Sequence, residues 1–127
     1  MPALLELSGR HLLMVTDDDP AVQDTQTVLD LIGEGLSHDA GMIVVPVDRL
    51  DPSFFHLRSG FAGDMLQKLA NYRFKLAVLG DFSPYTEASD AFRDFVRESD
   101  RGSAVLFCAD LPALSGRLAG MTEARVR

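Results

Sequence analysis

The stretch from Gly60 to Tyr85, GFAGDMLQKLANYRFKLAVLGDFSPY, constrains the fold more than any other part of the chain. Phe61, Ala62, Met65, Leu66, Leu69 and Ala70 recur at the three- and four-residue spacing of one helical face, which predicts an amphipathic helix. Leu76-Ala77-Val78-Leu79 follows as a short continuous apolar run, the pattern of a strand covered on both faces. Gly80-Asp81 then ends that run. A helix that leads directly into a two-sided buried strand is the repeating unit of an open α/β sheet. Ligands of such sheets sit beyond the carboxyl ends of the strands. The loop carrying Gly80, Asp81, Phe82 and Tyr85 is therefore the first candidate for a ligand or partner surface.

The same grammar extends to both sides. Leu4 to Leu7, a Ser8-Gly9-Arg10 turn and His11 to Val15 predict an opening hairpin. Asp19-Pro20 reads as a cap followed by a first-turn proline, opening a helix with Val22, Thr25, Val28, Leu29 and Ile32 on one face and ended by Gly33 and Gly35. Met42 to Val45 is a second buried strand, limited by Pro46. Asp51-Pro52 starts a short helical turn to about Leu57. Ser83-Pro84 or Thr86 starts a helix with Ala88, Ala91, Phe92, Phe95 and Val96 on its apolar face. Ala104 to Cys108 is the last strand, and Asp110 caps a terminal helix carrying Ala113, Leu114 and Leu118. The order β-β-α-β-α-β-α-β-α predicts one domain over residues 1–127, with a frayed tail from about 120. Its sheet is mostly parallel with one antiparallel edge.

Composition narrows the function classes. At 127 residues the chain is long enough to bury a core without a disulfide or metal. A formal net charge of −7 repels phosphate backbones, so no nucleic-acid partner is expected. One cysteine and the lack of a basic-then-apolar leader suit the cytoplasm, and no run is long enough to span a membrane.

The chemistry-bearing residues mostly have plain explanations. Gly60, Gly63 and Gly80 match no nucleotide fingerprint and read as packing and turn positions. Asp17, Asp18 and Asp19 read as capping residues rather than a Mg²⁺ site. His11, His38 and His56 lack zinc-ligand spacing, so no metal and no cofactor are expected. Cys108, within an apolar run, reads as core. Gln67 and Asn71 stand four apart on one helix face. With Tyr72 they are expected to hydrogen-bond to the loop at Gly80 and support it. Phe82 and Tyr85 add aromatic surface of the kind favoured at interfaces.

Three blocks carry a family resemblance. Phe54 to Tyr72 (FFHLRSGFAGDMLQKLANY), Lys75 to Ser83 (KLAVLGDFS) followed by Tyr85-Thr86, and Phe92 to Ser99 (FRDFVRES) resemble the bacterial family known as domain of unknown function 4180. Asp100 and Arg58-Ser59 depart from that family's pattern. A more distant likeness is to STAS and SpoIIAA-like domains, in element order and in Ser59-Gly60-Phe61 opening a helix. The likeness implies a STAS-like mixed sheet and a module that binds a protein partner or senses a small ligand without catalysis. It also implies regulation by phosphorylation at Ser59, whose plainer role is to cap the helix. The competing expectations are a small hydrolase or transferase with its site near Gly80-Asp81, and a structural subunit of a homodimer.

Overall fold

The computed structural model describes residues 2–126, with side chains up to position 121. Its sheet has five strands in the order β1-β2-β3-β4-β5. These are β1 (Ala3–Leu7), β2 (Arg10–Met14), β3 (Met42–Pro46), β4 (Lys75–Leu79) and β5 (Val105–Cys108). Strands β1 and β2 pair antiparallel through a two-residue turn, with Leu7 opposite Arg10. Ser8 and Gly9 both take positive φ (51° and 78°), the combination whose twist matches a tight hairpin. Every later pairing is parallel.

Sequential strand order decides where the helices go. A crossover of constant hand that always steps the same way returns over the same face of the sheet. Helices α1 (Thr25–Ser37), α2 (Phe61–Asn71) and the pair α3 (Ser83–Ala88) and α4 (Asp90–Arg101) share one face accordingly. There Val28, Ile32, Met65, Leu69 and Phe92 pack on Leu13, Ile43, Val45, Leu76, Val78 and Phe107. The final helix, α5 (Leu111–Val126), makes no crossover and covers the other face, setting Leu114 and Leu118 on Leu12, Val44, Ala77 and Leu106. Three-layer burial is what the continuous apolar runs of β3, β4 and β5 require.

Three expectations need correction. Asp19 does not cap α1. Its carboxylate accepts hydrogen bonds from the Thr16 N–H (2.7 Å) and hydroxyl (3.0 Å), closing a turn after β2. Val22 then forms an extended parallel bridge with Leu50, its backbone bonded to Arg49 and Asp51, so it is not available to a helix. Helix α1 starts later, with Asp24 accepting from the Thr27 N–H at 2.8 Å.

Nor do Gly33 and Gly35 end that helix. It runs on to Ser37, and the left-handed residue beyond it is Asp39 (φ 56°). Gly35 is a packing position, lying against the ring of Phe74. Finally, the helix expected from Ser83 is two helices. Ser89 is extended between them and accepts from the Phe92 N–H at 3.1 Å, capping α4 afresh. The fraying expected from about 120 falls mostly on residues whose side chains lie outside the described set.

Candidate functional site

Gly80 leaves β4 with φ 125°, a conformation open to glycine and strained for other residues. A Cβ there would also come within 3.3 Å of the Val47 side chain. The Gly80 N–H donates to the Cys108 carbonyl (3.0 Å), so the loop starts pinned to β5. Asp81 is exposed. Its Oδ1 accepts from the Ser83 hydroxyl (2.6 Å) and N–H (3.0 Å), and these bonds hold its carboxyl below the usual carboxylate range. Phe82 is half-buried and meets Phe107 edge-on at 5.2 Å. Tyr85, also half-buried, lies flat on Phe55. The two aromatic rings thus anchor the loop to the core instead of standing free on a surface.

An open cleft of about 680 Å³ lies at the carboxyl ends of the parallel strands, roofed by the start of α5. Met14, Pro46, Val47, Leu79, Leu111 and Pro112 make its apolar walls. Asp48, Asp81 and Asp110 are its charged residues, and among the described residues no Lys, Arg or His lines it. Past Gly80 and Asp81 a further hollow of about 460 Å³ continues along Phe82, Ser83 and Ala109. Asp110 caps α5 as expected, accepting from the Ala113 N–H at 2.9 Å. Asp110 is therefore fixed in place by its cap, and Asp81 by the turn it closes onto Ser83. Among the described residues no group of three or more His, Cys, Asp or Glu is arranged to hold a metal ion.

Gly80, Asp81, Phe82 and Tyr85 come together as one loop. Gln67, Asn71 and Tyr72 do not support it. Helix α2 ends at Asn71, just ahead of the first residue of β4, whereas Gly80 follows the last. Five residues of strand, roughly 17 Å, separate the two places. Gln67 donates instead to Asn71 (3.0 Å), and all three side chains are exposed. Support for the loop comes from Val47, Phe55 and Phe107. Asp48, Val47, Leu111 and Pro112 were not singled out as site residues. The rule that selected Gly80, the carboxyl end of a parallel strand, applies equally after β3 and β5 and would have found them.

Ser59 is exposed just ahead of α2, between the ends of β3 and β4 in the chain. Its hydroxyl donates to the Ser53 carbonyl (2.7 Å) and accepts from the Phe61 N–H (3.2 Å). Gly60 (φ 82°) occupies the cap position itself, so Ser59 meets the helix one residue earlier, through the Phe61 N–H. His11 stands near Glu6 at 3.8 Å, His38 ends α1, and His56 joins two 3₁₀ turns, each exposed. Cys108 is buried, and burial pushes its thiol up.

The fold and this cleft define an α/β protein built on a five-stranded, mostly parallel sheet, with its open apolar site at the carboxyl edge. The family model described as Domain of unknown function (DUF4180) matches residues 7–118, and the chain belongs to that family. The three sequence blocks that carry the resemblance supply an aromatic cluster beside the loop, with Phe54, Phe55, Phe82, Tyr85, Phe92 and Phe95. No curated protein and no solved structure matches the chain. Among the described residues no helix is long and apolar enough to cross a membrane.

Proposed function

We propose that the chain is a cytoplasmic, non-catalytic binding module of STAS-like type, which takes a protein partner or a small ligand in the cleft at Gly80-Asp81. The observation that carries this reading is the composition of the cleft. Its walls are apolar, and of its carboxylates Asp110 caps α5, Asp81 closes a local turn onto Ser83, and Asp48 stands exposed. A hydrolase or transferase would bring a nucleophile, a general base and an oxyanion donor to one point. Here Ser83 is the hydroxyl nearest the loop's carboxylate, and no histidine lines the site.

The element order and the Ser59-Gly60 junction support the STAS-like part of the reading. A phosphate on Ser59 would add about −1.5 to −2 charge and remove the hydroxyl hydrogen now given to Ser53. In this reading it is the modification that regulates the module.

The test is amide-shift mapping of isotopically labelled protein against small organic fragments and fractionated extract of the native cell. Shifts should gather at Val47, Asp48, Gly80, Asp81 and Asp110. A map centred on Tyr72 or Leu36 would move the site elsewhere. Ester hydrolysis that is lost in Ser83→Ala would replace the binding reading with the catalytic one.

A further inference from the structure

We infer that the occupant of the cleft is a segment of a partner protein that places an arginine or lysine side chain between Asp48, Asp81 and Asp110, with apolar residues on either side of it. The inference rests on the reading of the cleft as a binding site and adds the chemistry of what binds. Charge decides the sign. Three carboxylates bring −3, and among the described residues no basic side chain lines the cleft to offset them. The starts of α3 and α5 contribute at most about half a positive charge each, which leaves roughly −2. An anion is repelled, and a neutral ligand leaves the carboxylates unused.

The carboxylates also have capacity to spare. Asp81 accepts its turn bonds and Asp110 its capping bond on Oδ1 alone, leaving each Oδ2 with no hydrogen bond among the described residues. Asp48 makes no described hydrogen bond or ion pair, and it is exposed. A guanidinium presents donors in a planar fork suited to carboxylate oxygens, and its alkyl stem suits the apolar wall. The chain's net charge of −7 steers a basic partner toward it at long range.

Shape favours a chain over a free cation. The cleft is open on one side and continues past Asp81 into the second hollow, making an elongated groove. A small cation would leave Met14, Leu79, Leu111 and Pro112 in water. A peptide covers them with the residues flanking its basic one, and flanking apolar contact is where affinity at such surfaces resides.

Three capped pentapeptides of the form Ala-Leu-X-Leu-Ala, with X as arginine, norleucine or glutamate, test this by amide-shift titration of the full chain. Free ethylguanidinium is the fourth probe. The arginine peptide should shift Asp48, Gly80, Asp81 and Asp110 and bind about tenfold more tightly than the norleucine peptide at low salt. That advantage should shrink as salt is raised, and the double variant Asp81→Asn, Asp110→Asn should lose it while its amide oxygens keep the Ser83 turn and the α5 cap. Equal or tighter binding of the norleucine or glutamate peptide at the same amides overturns the inference and leaves the binding site standing. Ethylguanidinium matching the arginine peptide overturns the protein segment in favour of a small cation. If no probe shifts any cleft amide, both this inference and the site it rests on fall.

Discussion

Tyr85 lies on Phe55 with ring centroids 3.8 Å apart and planes only 6° from parallel. This pair joins α3, which carries the Gly80-Asp81 loop, to the 3₁₀ turn that leads toward α2. Phe55 is also edge-on to the buried Phe92, which in turn meets Phe107. The loop beside the cleft is thus held by a chain of aromatic contacts reaching into the core.

Breaking that pair should loosen the loop more than it destabilises the domain. An aromatic pair contributes about 0.5–1.5 kcal/mol beyond its buried area. Tyr85→Leu keeps much of the apolar bulk and loses the stack. A urea unfolding series should show a loss of about 1 kcal/mol. Hydrogen exchange at Gly80 to Ser83 should speed up while β4 is unchanged. Phe55→Ala should instead cost about 3–5 kcal/mol, because Phe55 is fully within the core. Equal losses from the two variants would show that Tyr85 is core and not an anchor for the loop.

What the sequence revealed follows from which cues are local. Strands β3, β4 and β5 were legible because burial on both faces writes a continuous apolar run. The Gly80 loop was legible because a strand's end is a local property. Cleft partners Asp48 and Asp110 were harder, since strand order alone brings the ends of β3, β4 and β5 side by side. Gln67, Asn71 and Tyr72 were misplaced because closeness in sequence to β4 sets them at its start, and the antiparallel return of α2 keeps them there. Asp19-Pro20 looked like a helix start, but the Val22–Leu50 bridge, a contact between distant residues, claims the backbone that the helix would need.

Acid should destabilise the domain through carboxylates that accept local hydrogen bonds. Hydrogen bonds from Thr27, Ser53, Thr25 and Ser83 hold Asp24, Asp51, Asp64 and Asp81, respectively, below the ordinary carboxylate range. The folded chain then binds fewer protons than the unfolded chain as the pH approaches the unfolded value of roughly 3.9. The stability these bonds lend is complete above that value. It is lost as pH falls through the lower folded values. Urea midpoints should hold near neutral pH and drop below about pH 4. Asp24→Asn keeps a capping oxygen without the titration, so its midpoint should fall less steeply with acid. An identical slope in the variant would remove Asp24 from the account.

Cys108 should behave as a core residue in solution. It is 5% exposed, and burial raises its thiol, outweighing the attraction of Arg117. Only the thiolate is nucleophilic, so both access and ionisation protect it. An aromatic disulfide reagent should label it slowly in the native protein and at the ordinary thiol rate in concentrated urea. Fast stoichiometric labelling of the native form would mark it as a reactive group beside the cleft.

Gly33 and Gly35, two residues apart on α1, should respond to alanine in opposite directions. Both lie in the helix interior, where glycine costs about 0.8–1.0 kcal/mol relative to alanine. A Cβ on Gly33 meets nothing within 4 Å, so Gly33→Ala should raise the urea midpoint by about that propensity difference. A Cβ on Gly35 would stand 2.6 Å from Cε2 and 2.9 Å from Cζ of Phe74, a buried ring. Overpacking of this kind costs about 1–3 kcal/mol, enough to cancel or exceed the propensity gain. Gly35→Ala should therefore lower the midpoint, and Gly35→Ala combined with Phe74→Leu should recover part of the loss by giving the methyl room. Stabilisation by both single alanines would show that the Phe74 ring yields freely and that α1 does not need glycine at either position.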